Sequence, residues 1–306
     1  MDIVIVNHRT PRLLRRCLAS LPSPPPGRVI VLDNDSGDES PVLVEREFAD
    51  VVLVTAAENT GFGGGVEQAL RHSTDSTVLV LNADTELHGD AVASLECYLH
   101  EHPRCGLVGP WIVGADGSAQ PSAFPWPTPL DYLLSETRVY ALLRRLGIRS
   151  GRVLRLWNHD VARSVPWVLG CAFALRREAY DEVGGIDPGF PMYFEEADLC
   201  ARLAAAHWLV DFTPDAVVMH VGAASTDQRR LEMRVQLYRS MARWYRRHRS
   251  SRSLVGLRCA VLLSLVPLAV RAALRLVGRG PAAVRAAADL RGCRVIAGEA
   301  IAGWVR

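Results

Sequence analysis

Carboxylates and amides at the ends of apolar runs are the first residues in this sequence able to do chemistry. The stretch VLVLNADTEL (78–87) begins like a buried strand and then presents Asn82 and Asp84. Two residues apart, these side chains fall on one side of an extended chain. Oxygen ligands of this kind suit Mg²⁺ or Mn²⁺ that already carries phosphate oxygens. Asp is also an ordinary residue where a strand stops, so the tripeptide alone leaves both readings open. VLDNDSGDES (31–40) repeats the pattern. Asp33 follows an apolar run and could accept hydrogen bonds from a base or a ribose; the Asn, Asp, Ser and Gly after it could equally form a plain turn.

Three further groups stand out. ENTGFGGGVEQAL (58–70) places glycines 61, 63, 64 and 65 ahead of a helical pattern, where backbone can approach a ligand closely. It does not fit G-x-G-x-x-G, and Phe62 reads first as a packing anchor. YFEEADLCARL (193–203) clusters Glu195, Glu196 and Asp198 at a helix start, which the helix dipole favours. Tyr193 and Phe194 before them suggest partial burial, which raises a carboxylate toward the range of a useful base. Asp198 and Arg202, four residues apart, are spaced for a structural ion pair. His220 ends an apolar run in VVMHVGAAST. By itself it reads as structural, unless it faces Asp84.

The elements that must position these groups follow from periodicity. Strands are expected at 2–7, 28–34, 51–56 and 77–84, with helices at 11–21, 64–73 and 89–103. Continuous apolar strands alternating with helices imply an α/β fold whose mostly parallel sheet is covered on both faces. In such sheets ligands bind beyond the carboxyl ends of the strands. Asn7, Asp33, Asn34 and Asp84 all fall at such ends. Strands and turns are expected from 105, a Leu/Arg-rich helical stretch at 129–147, strand then short helix within 165–185, a helix within 191–208, and strand, turn, strand at 209–222.

Composition sets further bounds. The chain has 306 residues, 49% of them hydrophobic, so it can bury a sizeable core. Its net charge of +2 hides an asymmetry. Residues 1–228 carry 18 Arg against 30 Asp and Glu, or −12, while residues 229–306 carry 17 Arg against 3, or +14. The expected organisation is therefore one domain over 1–228 and a basic, helical region over 229–306. All 35 basic residues are Arg, which excludes lysine nucleophiles and a P-loop lysine. The seven cysteines form no CxxC pair and read as reduced, mostly buried thiols of an intracellular protein.

In this order, IVIVNHR, VLDNDSGDES, ENTGFGGG, LNADTEL, GLVGPWI, GGIDPGFPMYFEEADLCARL and HVGAAST resemble the family 2 glycosyltransferases, specifically their bacterial rhamnosyltransferase-like branch, over roughly residues 2–250. The resemblance implies the GT-A fold and metal-aided transfer of a sugar, with inversion, from a nucleotide diphospho-sugar; dTDP-rhamnose is the branch's commonest donor. It makes Asp33 the base- or ribose-binding acid, Asp84 the metal-binding acid of a D-x-D-type motif, His220 a second metal ligand and Glu196 the catalytic base. It places Asn7, Asn34, Asn59, Gly61, Phe62 and Asn82 on the donor side, and Glu195 and Trp167 on the acceptor side. Two departures stand out. The base is Glu where Asp is commoner, and Glu67 stands where many relatives carry Asn.

The expected cofactor is a divalent cation, Mg²⁺ or Mn²⁺. The expected partners are a nucleotide diphospho-sugar and a glycan or lipid-linked acceptor shaped by residues 120–165, with no nucleic acid. A sugar nucleotidyltransferase would use a similar sheet but needs a basic residue in an N-terminal Gly-rich loop, which is missing; a non-catalytic nucleotide-sugar module would not need Asp84, Glu196 and His220 together. In the tail, SLVGLRCAVLLSLVPLAVRAALRLVG (253–278) has a longest uncharged run of 12 residues, short of the roughly 20 that a span requires. With Arg at 258, 271, 275 and 279 around it, the segment is expected to lie on the inner, anionic face of the plasma membrane; the alternative is a helical packing element or a dimer interface.

Overall fold

The computed structural model describes residues 1–222, 230–276 and 281–302. The chain divides into two compact units, Met1–Pro125 with Arg152–Gln228 and Trp126–Gly151 with Arg229–Arg306. Composition suggested a boundary at 228/229. That point lies outside the described residues, and segment 126–151 joins the C-terminal helices rather than the sheet that surrounds it in sequence.

The first unit opens with β1 (Asp2–Asn7), α1 (Pro11–Ala19), β2 (Val29–Asp33), α2 (Ser40–Glu47), β3 (Val52–Thr55), α3 (Gly61–Leu70) and β4 (Thr77–Asn82). Then come β5 (Thr85–His88), α4 (Ala91–Glu101), β6 (Cys105–Val113), β7 (Ala119–Gln120) and β8 (Ala123–Phe124). Helices α5 (Pro129–Glu136) and α6 (Val139–Arg145) belong to the second unit. The chain re-enters the first with β9 (Arg163–Ser164), β10 (Trp167–Val168), β11 (Ala172–Arg176), α7 (Arg177–Glu182), α8 (Glu195–Ala205) and β12 (Leu209–His220). Helices α9 (Arg230–His248), α10 (Ser251–Leu276) and α11 (Pro281–Ala302) complete the second unit.

The main sheet runs β3-β2-β1-β4-β11-β6-β12-β5. Its first four strands are parallel, as are β6 and β12; β11 is antiparallel to both neighbours and β5 antiparallel to β12. Strands β1, β2 and most of β4 are buried throughout, which their unbroken apolar sequences anticipate. Helix α1 starts on Pro11 and turns Leu14, Cys17 and Leu18 inward at helical spacing. The register aligns Asn7 with Asp33 and Val6 with Asn82, so three polar strand ends meet at one edge of the core.

Three local expectations change. Residues 40–47 form α2, which the Ser- and Asp-rich approach hides, although Pro41 in its first turn is a start signal. Glycines 61–65 lie inside α3, not ahead of it. Residues 209–220 form one strand with a register shift between Thr213 and Val217, in place of two strands and a turn.

Candidate active site

The donor-side residues of β1 and β2 are tied to one another. Asn7 is fully buried; its amide donates to Asp33 Oδ1 at 3.1 Å and to Ser36 Oγ at 3.2 Å, and its carbonyl accepts from Thr10. Asp33, also buried, accepts from the Ser36 N–H and hydroxyl. Asn34 donates to the Gly61 carbonyl at 2.9 Å and accepts from the Thr60 N–H at 3.0 Å, while Asn59 accepts from the Gly61 N–H. The structure thus gathers Asn7, Asp33, Asn34, Asn59 and Gly61 at one end of the sheet. Their polar atoms fix the loop after β2 against the start of α3; of the five, Asn59 is exposed.

The glycines have a packing cause. Gly61 has φ +74°, and a Cβ there would run into the Pro191 carbonyl. A Cβ on Gly63 would lie 2.5 Å from Ile186 Cγ2, and one on Gly65 would lie 2.7 Å from Val6 Cγ1. The start of α3 is therefore a smooth bed for the loop at 186–191, which leads into α8. Glu67 latches that loop: its carboxylate accepts from the Tyr180 hydroxyl and, at 2.8 Å, from the Ile186 N–H. The departure from Asn at this position thus makes an internal tie. Phe62, between the glycines, is half-buried. Gly61→Ala should cost about 1–3 kcal/mol from the left-handed backbone alone, with the Pro191 clash added. Thermal unfolding of this variant should show a clear drop in Tm, where an exposed alanine substitution would show almost none.

Asp84 sits in the turn between β4 and β5, and its carbonyl accepts from the Val221 N–H. Antiparallel pairing of β12 with β5 sets His220 opposite Thr85. The His220 Nε2 then lies 3.5 Å from Asp84 Oδ1, both side chains nearly buried. His220 is thus not the structural residue its isolated sequence suggests: it faces Asp84. Asn82, half-buried two residues before, donates its backbone N–H to the Cys171 carbonyl. One carboxylate oxygen and one imidazole nitrogen suit a divalent cation, with phosphate oxygens and water filling the remaining positions. Among the described residues no cluster of three His, Cys, Asp or Glu side chains is placed to hold a metal ion.

Glu195 and Glu196 open α8 after Tyr193 and Phe194, two consecutive non-glycine residues with φ of +65° and +67°. That backbone is strained, and strain of this kind gathers at functional sites. Both carboxylates are more than nine-tenths buried, and each keeps one Oε2 without a hydrogen-bond partner. Burial pushes Glu196 up to about 7, held back by backbone N–H groups that include those of Gly170 and Ala197. Burial and the charge of Glu196 push Glu195 well above the carboxylate range. Gly170 makes room: a Cβ there would lie 3.3 Å from Glu196 Cδ. Asp198, wholly buried, pairs with Arg202 at 2.8 Å, as the four-residue spacing anticipates.

Cys171 links the two halves of the site. Its buried thiol is pushed far up by desolvation and then by the charges of Asp84 and Glu196. Both carboxylates therefore bear on one point at the start of β11. Trp167 stacks on Phe124 at 4.5 Å, tilts toward Phe194 at 6.1 Å and donates its indole N–H to the Pro125 carbonyl. Sequence reasoning missed Gly170 and Gln120, which contacts His220. A glycine within an apolar strand pattern marks close backbone approach and could have flagged Gly170; nothing local flags Gln120.

Comparison with known proteins now adds to this geometry. The family model described as Glycosyl transferase family 2 matches residues 2–184. A Mycobacterium tuberculosis protein named N-acetylglucosaminyl-diphospho-decaprenol L-rhamnosyltransferase is 31% identical over 244 residues, which are 74% of this chain and 77% of that protein. The low-salt glycan biosynthesis hexosyltransferase Agl10 of Haloferax volcanii is 23% identical over 242 residues, 78% of this chain and 72% of its own. The mannosyltransferase PcManGT of Pyrobaculum calidifontis, solved with GDP-Man and Mn²⁺, aligns with 99% of this chain and 85% of its own at a TM-score of 0.57 and 18% identity. GalNAc-T7, solved with UDP, GalNAc and Mn²⁺, aligns with 78% of this chain at a TM-score of 0.53 and 17% identity; the match spans about half, 47%, of that longer chain.

Proposed function

This chain belongs to glycosyl transferase family 2, is rhamnosyltransferase-like and has the GT-A fold, and we propose that it is an inverting, metal-dependent glycosyltransferase with Glu196 as its base. The name of the relative with 31% identity gives L-rhamnose as the sugar and N-acetylglucosaminyl-diphospho-decaprenol, a lipid-linked sugar, as the acceptor, and these are the donor sugar and acceptor class proposed for this chain. The observation that carries the chemistry is the buried Glu196 carboxylate. It has a free oxygen, a pKa raised to about 7 and a common neighbour with Asp84.

Burial and its neighbour's charge raise Glu195 well above the carboxylate range, and Glu196, raised to about 7, is the member of the pair taken as the base. The acceptor hydroxyl gives its proton to Glu196 Oε2 as its oxygen bonds to the anomeric carbon. The bond from that carbon to the donor's phosphate oxygen breaks on the opposite face, and the nucleoside diphosphate leaves. Asp84 and His220 would hold the cation, which when bound offsets the charge gained by the leaving diphosphate. Asn7, Asp33 and Asn34 keep the donor-side loops in place. The test is purified protein against a panel of nucleotide sugars, with nucleoside diphosphate release measured with and without EDTA. Release from at least one donor, abolished by the chelator, is expected; release from none overturns the proposal.

The second unit supports a membrane-bound acceptor. Helix α10 continues unbroken through Arg258 and Arg271, and residues Ser251–Leu274 are long and apolar enough, by length and composition, to cross a bilayer. The expectation from the 12-residue uncharged run is thus revised in length. Leu257, Val261 and Leu265 are almost wholly buried, so this face packs against the chain itself. Val255, Leu263, Val266, Val270 and Leu274 are all more than half exposed. At about 100° per residue these five fall within about 100° of one another, with Arg252 and Arg271 exposed beside them. A helix buried on one face and apolar on the other suits lying on an anionic leaflet. Replacing Val266 and Val270 together by Glu removes two apolar side chains at about 1.5–3 kcal/mol each. Binding of the full chain to acidic liposomes should fall about a hundredfold. Flotation unchanged from wild type, or no flotation by wild type, would refute this reading.

A further inference from the structure

We propose that Gln120 is a positioning residue that sets the tautomer of His220 and so readies it to hold a cation with Asp84; this rests on the cation site proposed above. The hairpin of β6 and β7 carries Gln120 to β12. There the amide Nε2 donates to the His220 carbonyl at 3.1 Å, and Oε1 lies 3.3 Å from His220 Nδ1. Gly114 leaves room for this amide: a Cβ there would lie 3.3 Å from Gln120 Nε2.

The orientation of the amide is determined by chemistry. A backbone carbonyl can only accept, so the NH₂ end of Gln120 must face it. The Oε1 end then faces Nδ1, and an amide oxygen can only accept, so Nδ1 must carry the proton. In the neutral ring this leaves the lone pair on Nε2. That lone pair lies 3.5 Å from Asp84 Oδ1. Two acceptors face each other across that gap, an arrangement that repels unless a positive charge lies between them. Metal-bound histidines are commonly held in this way, the second ring nitrogen donating to a fixed acceptor. Gln120 grips both the ring and the backbone of His220, so it fixes rotamer and tautomer together.

The first readout needs neither metal nor turnover. In metal-free protein labelled with ¹⁵N-histidine, the neutral ring of His220 should show a protonated Nδ1 and a bare Nε2. The His220→Ala spectrum identifies its signals among those of the nine histidines. Gln120→Leu should convert His220 to a tautomer mixture. It should also weaken Mn²⁺ binding, followed by EPR in the presence of UDP, by about 10–100-fold. Gln120→Glu keeps an acceptor for Nδ1–H but gives up the donor to the His220 carbonyl; it should therefore keep the tautomer and lose less Mn²⁺ affinity than Gln120→Leu, which separates positioning from damage to β7. An unchanged tautomer and unchanged Mn²⁺ affinity in Gln120→Leu, or a tautomer mixture in Gln120→Glu equal to that in Gln120→Leu, would overturn the proposal. If His220→Ala binds Mn²⁺ as wild type does, the cation site itself is wrong, whatever the tautomer shows.

Discussion

Glu196→Gln should lower turnover by about 10²–10⁴-fold, the usual consequence of losing a general base. Donor affinity should stay near normal, because in the proposed mechanism the carboxylate meets the acceptor hydroxyl and not the diphosphate. Glu195→Gln should leave most of the turnover, because burial and the Glu196 charge push Glu195 upward and so favour its protonated form, which a Gln mimics. Wild-type kcat should fall as pH drops below about 7 and Glu196 takes up a proton, and this limb should vanish in the residual activity of the variant. Stability gives an independent readout of opposite sign. The folded pKa of Glu196 lies above its ordinary 4.5, so the folded chain holds a proton that the unfolded chain releases. The resulting stability is full below about 4.5 and is lost as pH rises toward and through about 7. Glu196→Gln lacks that loss. Its Tm, measured against wild type, should therefore gain steadily across this window. If Glu196→Gln turns over normally while Glu195→Gln is dead, the base is misassigned.

Asp84→Asn should abolish measurable transfer, with kcat/KM down about 10³-fold or more, the scale on which a stabiliser of developing charge acts. Cation-dependent donor binding should weaken with it. The fold should persist, since Asn is nearly isosteric with Asp and the backbone bond from the Val221 N–H to the residue 84 carbonyl does not depend on the side chain. Calorimetric titration of donor with and without Mn²⁺ tests this. A variant whose donor affinity still responds to Mn²⁺ as wild type does would remove Asp84 from the cation site.

Much of this site is legible in the sequence because strands that feed ligand sites end abruptly. Asn7, Asp33 and Asp84 each close an apolar run, and parallel pairing puts such ends side by side. The acidic start of α8 is equally legible, since aromatic residues precede it. What is hidden depends on long-range pairing. Nothing near His220 shows that β12 returns antiparallel to β5 and brings it to Asp84, and nothing near Gln120 shows that a two-residue strand carries it to His220. The glycines before Val66 misled for a physical reason. Both a ligand and a packed loop demand the absence of a Cβ, and only the partner, here Ile186 and Pro191, tells them apart. Counting uncharged residues shortened α10, because a helix continues through an arginine whose head can reach water while its stem stays among apolar neighbours. The assignment of 126–151 to the second unit is written in contacts, not in composition.

The outermost position of β5 in the sheet has a consequence for assembly. An edge strand of four residues, paired on one side to β12, is among the parts of a fold most ready to peel away. Asp84 immediately precedes it, and His220 is the last residue of the strand that holds it. A cation gripped by both would act as a rivet across that seam, adding stability that grows with the logarithm of its concentration. In a nascent chain the rivet could close only after residue 220 had emerged and the seam had formed. Cation uptake would then mark the completion of the sheet, and its withdrawal would expose a bare edge open to pairing with other chains.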